Sequence, residues 1–274
     1  MARRVFFVLM SMSNEFVSFP EGELGERSHR LTVLARGGDW YALEKPAGVA
    51  AVRDARGGKR SLVESLASGI ESGRAQFRRA GIEAAHAVAY PDPDVSGVFL
   101  AAGTQSARTL MRNAMGAAAY TFIYRLVTPG ETDAGEFVCD LPLVRPDKAR
   151  RMQVSHAAGK KTVTRFRAIG RSGRYFLWET ESHYNRQDQV RLHAFESGLP
   201  VVGDGLYAGS GPVFLSSWKR NYRPKGKERP LYSHPCLHLA RIRFPDPATG
   251  DPAEVACPLP SRLNAFLAQA ERYS

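Results

Sequence analysis

Short runs rich in Val, Ile, Tyr, Phe and Thr recur along this chain without a helix after each one. Residues 31–35 and 40–44 read as strands joined through Gly37-Gly38-Asp39. Residues 85–90 and 97–102 read as strands on either side of a Pro/Asp-rich loop, and 120–127, 136–140, 162–168 and 175–181 follow. Residues 236–244, Cys-Leu-His-Leu-Ala-Arg-Ile-Arg-Phe, alternate like a further strand. Helical signals are fewer, at 61–70 and 187–197 and in two amphipathic segments. Thr104 is a good N-cap for a helix with Ala107, Leu110, Met111, Ala114 and Met115 on one face, and a last helix carries Leu263, Phe266, Leu267 and Ala270. A doubly wound parallel sheet needs strands and helices in alternation. This order predicts an α+β fold instead.

The 274 residues suffice for one large domain or two small ones, with 43% hydrophobic and 24% charged residues, an ordinary globular balance. Residues 1–30 mix apolar and acidic residues with Gly and Pro and read as an N-terminal extension, leaving 31–274 as the main domain. Cys139, Cys236 and Cys257 lie far apart, with no Cys-x-x-Cys, which argues against a zinc site, a redox pair or a disulfide framework. The apolar run at 5–10 follows Arg3-Arg4 but is too short for a leader, and far below the ~20 residues of a membrane span. A soluble, cytoplasmic protein is expected.

No P-loop, His-Glu-x-x-His or Gly-x-Ser-x-Gly occurs. Gly203-Asp204-Gly205 starts like a dinucleotide fingerprint, but Ala208 replaces the third Gly and no βαβ unit surrounds it. His234 and His238 are four apart, but Pro235 makes a helical metal pair improbable. No metal and no cofactor are expected. The charge points to a partner: 38 Lys and Arg against 27 Asp and Glu leave a net +11, a surface that attracts polyanions, nucleic acid before acidic membranes. The positive residues cluster. Residues 218–229 hold six Lys or Arg (Lys219, Arg220, Arg223, Lys225, Lys227, Arg229), interleaved with Trp218 and Tyr222, and suit phosphates with stacking bases. A second run is Lys148-Ala149-Arg150-Arg151, with Lys160 and Lys161 beyond.

Four separated segments, in order, resemble the RluA-type RNA pseudouridine synthases. Leu43-Glu44-Lys45-Pro46-Ala47-Gly48-Val49 is similar to the family's Lys-Pro-x-Gly turn. Tyr90-Pro91-Asp92-Pro93-Asp94-Val95-Ser96-Gly97 resembles its His-Arg-Leu-Asp-x-x-Thr-Ser-Gly signature. Tyr124-Arg125-Leu126-Val127 with Gly130 resembles Tyr-x-Ala-x-Val-x-Gly. Asn185-Arg186-Gln187-Asp188-Gln189-Val190-Arg191-Leu192-His193 resembles Gly-Arg-x-His-Gln-Ile-Arg-Val-His, and residues 198–207 follow as Gly-x-Pro-x-x-Gly-Asp-x-x-Tyr. The resemblance covers about residues 31 to 270. It implies a pseudouridine synthase-like domain with a central mixed, largely antiparallel sheet flanked by helices and loops. It also implies a cofactor-free isomerisation of uridine in ribosomal or transfer RNA, with Asp92 as the catalytic carboxylate. Tyr124 is implied as the phenol beside the base, and Arg186 or Arg191 as the guanidinium that keeps the aspartate ionised. These groups would converge in one basic cleft. Tyr90 and Lys45 are the further RNA-contact candidates, with Lys160, Lys219, Arg220, Arg223 and Lys225 on the basic runs.

The chain departs from the pattern at Ala89-Tyr90-Pro91 in place of His-Arg-Leu, at Asn185 for Gly, at Asp188 for His, and at Phe122 where Lys is usual. Tyr90 can stack but cannot pair with phosphate. A second reading is therefore an inactive member that serves as an RNA-binding or ribosome-assembly factor. A third class, a hydrolase using Asp92 with His193 or His183, lacks a Ser or Cys elbow. The sequence is silent on oligomeric state, for which a monomer is the default expectation.

Overall fold

A computed structural model describes residues 7–8, 15–53, 60–130, 135–147, 149, 151–219 and 221–273. Its strands are β1 (Phe7–Val8), β2 (Phe16–Phe19), β3 (His29–Arg36), β4 (Trp40–Lys45), β5 (His86–Ala89), β6 (Ser96–Ala102) and β7 (Thr121–Pro129). Then come β8 (Glu136–Cys139), β9 (Leu143–Val144), β10 (Gln153–Val154), β11 (Thr164–Ser172), β12 (Tyr175–Ser182), β13 (Leu237–Pro245) and β14 (Pro252–Ala256). The helices are α1 (Leu62–Glu71), α2 (Ala75–Arg79), α3 (Gln105–Gly116), α4 (Gln189–Glu196) and α5 (Ser261–Tyr273). The fold is α+β and mostly antiparallel, with a parallel pairing of β1 to β14. The chain packs as two compact units, Met1–Phe122 with Leu239–Pro258, and Ile123–His238 with Leu259–Ser274.

In the first unit β2, β3, β4 and β6 pair antiparallel in that order, β5 adds to β6, and β14 pairs with β13. Every residue of β6 is buried, as expected of a strand covered on both faces. Residues 16–24, within the stretch read as an extension, contribute Val17, Phe19 and Leu24 to the core beside Leu43, Leu62, Leu66, Phe77 and Phe99. Helix α1 starts on a capping box: Ser61 Oγ accepts from Glu64 N at 3.3 Å and Glu64 Oε2 accepts from Ser61 N at 2.8 Å. Thr104 caps α3 as expected, its Oγ1 accepting from Ala107 N at 3.1 Å. The expected apolar face of α3 is narrower than its sequence implies. Ala107 and Met111 are buried, whereas Leu110 is 56% exposed.

In the second unit β12 and β8 flank β11 antiparallel. Leu263, Phe266 and Ala270 of α5 pack with Tyr175, Val127 and Cys236. Trp178 is fully buried and its indole N–H donates to Thr128 Oγ1 at 2.9 Å, which satisfies the one polar atom of the ring.

Candidate functional site

Strand β5 delivers the chain into the loop from Tyr90 to Val95, and β6 carries it away. Val95 N donates to Asp92 O at 3.0 Å, closing a turn with Pro93 and Asp94 at its corner. Proline's fixed φ suits that corner. A second segment grips the turn from outside: the carbonyl of Pro93 accepts from Gly48 N at 2.9 Å and from Lys45 Nζ at 3.1 Å. Gly48 sits at φ +83, open to glycine at little cost. Lys45 Nζ donates also to Pro46 O at 3.0 Å and Val49 O at 2.7 Å, so each ammonium hydrogen has a carbonyl. At the far end of the loop Gly97 lies at φ +136, where a Cβ would come within 2.3 Å of Leu239 O. Only glycine fits there. Asp92 is thereby held half-buried on a turn fixed from both sides, with Asp94 exposed beside it.

Lys45 itself is 0% exposed. Burial brings its pKa down to about 7, against the upward pull of the Asp92 and Asp94 charges. The phosphate contact expected of this lysine is corrected by its position, since a fully buried ammonium with three carbonyl partners has no reach to RNA.

In the second unit Tyr124, on β7, is buried and its hydroxyl donates to Asn185 Oδ1 at 2.7 Å. The neighbouring Arg186 is partly exposed. Its Nε donates to Lys161 O at 3.3 Å, and its guanidinium stands 5.9 Å from the Tyr184 ring. Gln189 ties this segment to the strands behind it, its amide donating at 3.0 Å to both Thr164 Oγ1 and Ser182 Oγ.

Arg191 lies deeper, 3% exposed, and forms a fork-on-fork pair with Asp204: Nε to Oδ2 at 2.8 Å and Nη2 to Oδ1 at 2.6 Å. Its Nη1 reaches Asp188 Oδ1 at 3.3 Å, and Tyr207 Oη donates to Asp188 Oδ2 at 2.9 Å. Asp188 stands at φ +54 ahead of α4, and burial raises its pKa against the opposing effects of Arg191 and the Tyr207 hydroxyl. Two carboxylates thus share one buried guanidinium. His193 is fully buried, with Nδ1 2.9 Å from Thr164 Oγ1 and Nε2 2.9 Å from Leu141 O. Burial lowers its pKa, and its partners make it a structural residue rather than a hydrolytic base.

No protein-family profile matches the chain. A ribosomal large subunit pseudouridine synthase D of Xanthomonas campestris is 26% identical over 243 residues, spanning 86% of this chain and 68% of its own length. A protein with the same description from Haemophilus ducreyi is 27% identical over 176 residues, 62% of this chain and 51% of its own. The chain therefore spans about half to two thirds of the length of these relatives. A solved structure, human RNA pseudouridylate synthase domain containing 4, superposes with a TM-score of 0.63 at 17% identity, over 87% of this chain and 92% of that one, and shares the fold. The chain is thus similar in sequence to curated RNA pseudouridine synthases and shares the fold of a pseudouridylate synthase domain.

Set against that family, the departures are not loose ends. Asn185, in the place of a glycine, is the acceptor for Tyr124, and Asp188, in the place of a histidine, joins the Arg191 cluster. Phe122, where the family usually has lysine, is fully buried and stacks on Tyr120. Among the synthase-like RNA candidates, Lys160, Lys219, Arg223 and Lys225 are exposed, Tyr90 is half-buried, and Arg220 lies outside the described residues, as do Lys148 and Arg150. Trp218 is not free to stack on a base, since it packs against Tyr175 and Phe266. Sequence reading assigned no role to Asp204 or Tyr207, although both sit in the quoted Gly-Asp-x-x-Tyr match. The signal was there, but not the partner.

Proposed function

We propose that this chain is an RNA pseudouridine synthase that isomerises uridine in ribosomal RNA, with transfer RNA as the other candidate substrate. The observation that carries the reading is Asp92: the signature carboxylate is retained, half-buried, on a turn held by Lys45, Gly48 and Gly97. The reaction breaks the N1–C1′ bond of the nucleoside and forms a C5–C1′ bond. C5 loses a proton and N1 gains one, so composition and oxidation state are unchanged. Asp92 is the nucleophile or base that this exchange needs. The family resemblance implies Tyr124, whose hydroxyl donates to Asn185, as the phenol of the reaction, and of the two arginines it implies, Arg191 is engaged by Asp204 and Asp188 while Arg186 is not. The target base must leave its stack, at a cost of a few kcal/mol. The exposed Lys160, Lys219, Arg223 and Lys225 supply phosphate contacts. Among the described residues no helix is long and apolar enough to cross a membrane, and a cytoplasmic setting suits the substrate.

The test is pseudouridine mapping of ribosomal and transfer RNA incubated with the wild-type protein and with Asp92→Asn. We expect new pseudouridine with the wild type and at least a 1,000-fold slower rate for the variant, with RNA affinity retained, as when a nucleophile is removed from a preorganised site. Wild-type protein that binds RNA but forms no pseudouridine would overturn the enzyme reading and favour an RNA-binding or ribosome-assembly factor.

A further inference from the structure

Helix α3 runs from its Thr104 cap back over β5, the strand that leads into the Asp92 loop. Along this path Arg108 Nε donates to Ala87 O at 3.4 Å. Arg112 is one turn further on, ~6 Å along the axis, toward Tyr90. Tyr90 lies half-buried with its ring stacked on Phe99, centroids 6.3 Å apart. Both arginines act on its hydroxyl, opposing the rise that burial imposes on its pKa, with Arg112 the stronger, while Asp92 acts in the other sense.

Several exposed or half-exposed arginines of the chain are paired: Arg165 with Glu136 at 2.7 Å, Arg167 with Glu179 at 2.6 Å, Arg243 with Glu254 at 2.6 Å. From Gln105 to Gly116 there is no acidic residue. Among the described residues neither Arg108 nor Arg112 has a carboxylate within salt-bridge distance. Two like charges at i, i+4 repel, which is unfavourable by a few tenths of a kcal/mol on a helix. An anion that bridges them would relieve the repulsion and collect charge-assisted hydrogen bonds from two guanidinium forks and a phenol.

We propose that Arg108, Arg112 and Tyr90 form a phosphate clamp for the RNA backbone next to the nucleotide on which Asp92 acts. The inference rests on the synthase reading and deepens it, assigning a binding site that the retained motifs do not contain. Position 90 brings a ring and a hydroxyl, and α3 brings the positive charge. Phosphate contacts of this kind fix register and carry no sequence information, so the clamp positions the target rather than choosing it.

The probe is fluorescein-labelled ribosomal RNA fragments, with affinity measured from 50 to 300 mM KCl. Arg112→Gln is expected to weaken binding several-fold and to lower the slope of log affinity against log salt by about 1, with Arg108→Gln/Arg112→Gln lowering it by about 2. Arg112→Lys should keep the slope while losing part of the affinity. Arg79→Gln, an exposed arginine on α2, is the control and should leave both unchanged. In pseudouridine formation Arg112→Gln should raise KM several-fold with kcat held. Equal slopes for wild type and the double variant would overturn the clamp even if the enzyme is active. A wild type without activity whose slope still falls with Arg112→Gln would overturn the synthase reading and leave the clamp standing.

Discussion

Two Lys or Arg side chains are buried among the described residues, one in each unit, and they are held in opposite ways. Lys45 is caged by three neutral carbonyls, with the Asp92 and Asp94 charges acting from farther off. Arg191 is caged by two carboxylates and outnumbered by them. In the first cage the cation carries the labile proton, because dipoles offset only part of what water gave the ammonium. In the second the guanidinium keeps its charge, and the labile proton belongs to Asp188. The Asp92 turn is therefore fixed by a group whose charge is marginal near neutral pH, and the start of α4 by one whose charge is permanent.

Arg191→Met is the severest way to break the contrast. It strands Asp188 and Asp204 as buried acids without their cation, and the expected loss is about 3–5 kcal/mol of folding stability, enough to unfold a marginal domain. Urea unfolding monitored by Trp fluorescence measures it. A loss below about 1 kcal/mol would mean that the cluster is not ionic in solution.

Lys45→Met should cost less at neutral pH, about 2–3 kcal/mol, because it leaves carbonyls rather than charges unpartnered. Its signature is the pH dependence. The folded pKa of Lys45, about 7, lies below the unfolded value, so between the two the unfolded chain holds more protons. Wild-type stability then rises with pH from about 7 toward 10, by at most about 1.4 kcal/mol per unit, and the variant lacks this contribution. The gap between wild type and Lys45→Met should therefore widen from pH 7.5 to pH 9.5. A constant gap would show that the carbonyl cage holds the ammonium as well as water does.

These two cages mark the limit of what the sequence discloses. The succession of strands, the cap at Thr104 and the Asp92 segment are legible because they are local: a periodicity, a hydroxyl before a helix, a signature of contiguous residues. Lys45 misleads because a lysine beside a Pro-Ala-Gly turn reads as surface, and full burial of lysine is rare. Its cage needs the carbonyl of Pro93, 48 residues away. Arg191 could not be separated from Arg186 in sequence, since the partner that separates them, Asp204, lies 13 residues beyond and meets it only once α4 has turned. Leu110 and Trp218 fail in the same way from opposite directions. One fits a helical stripe and faces water, while the other sits in a basic run and packs on Phe266. The short α2 and the Pro-led β14 are too brief or too polar for periodicity to register.

The smallest effect sharpens the comparison most. Asp188→Asn keeps the size of the side chain and an acceptor for Tyr207 while removing the surplus negative charge. The folded pKa of Asp188 is raised, so above the unfolded carboxylate value the native state holds the extra proton, and stability falls as pH rises through that window. Asparagine mimics the protonated form and escapes this fall. Asp188→Asn should be near neutral at pH 4 and more stable than wild type by up to about 1 kcal/mol at pH 7, read as a difference in urea midpoint at constant m. Asp188 and Lys45 then tilt stability in opposite directions with pH, the acid downward from mildly acidic toward neutral conditions and the lysine upward beyond neutral. A variant less stable than wild type at pH 7 would place the second carboxylate as a needed partner of Arg191, and the two buried cations would differ only in the number of their acceptors.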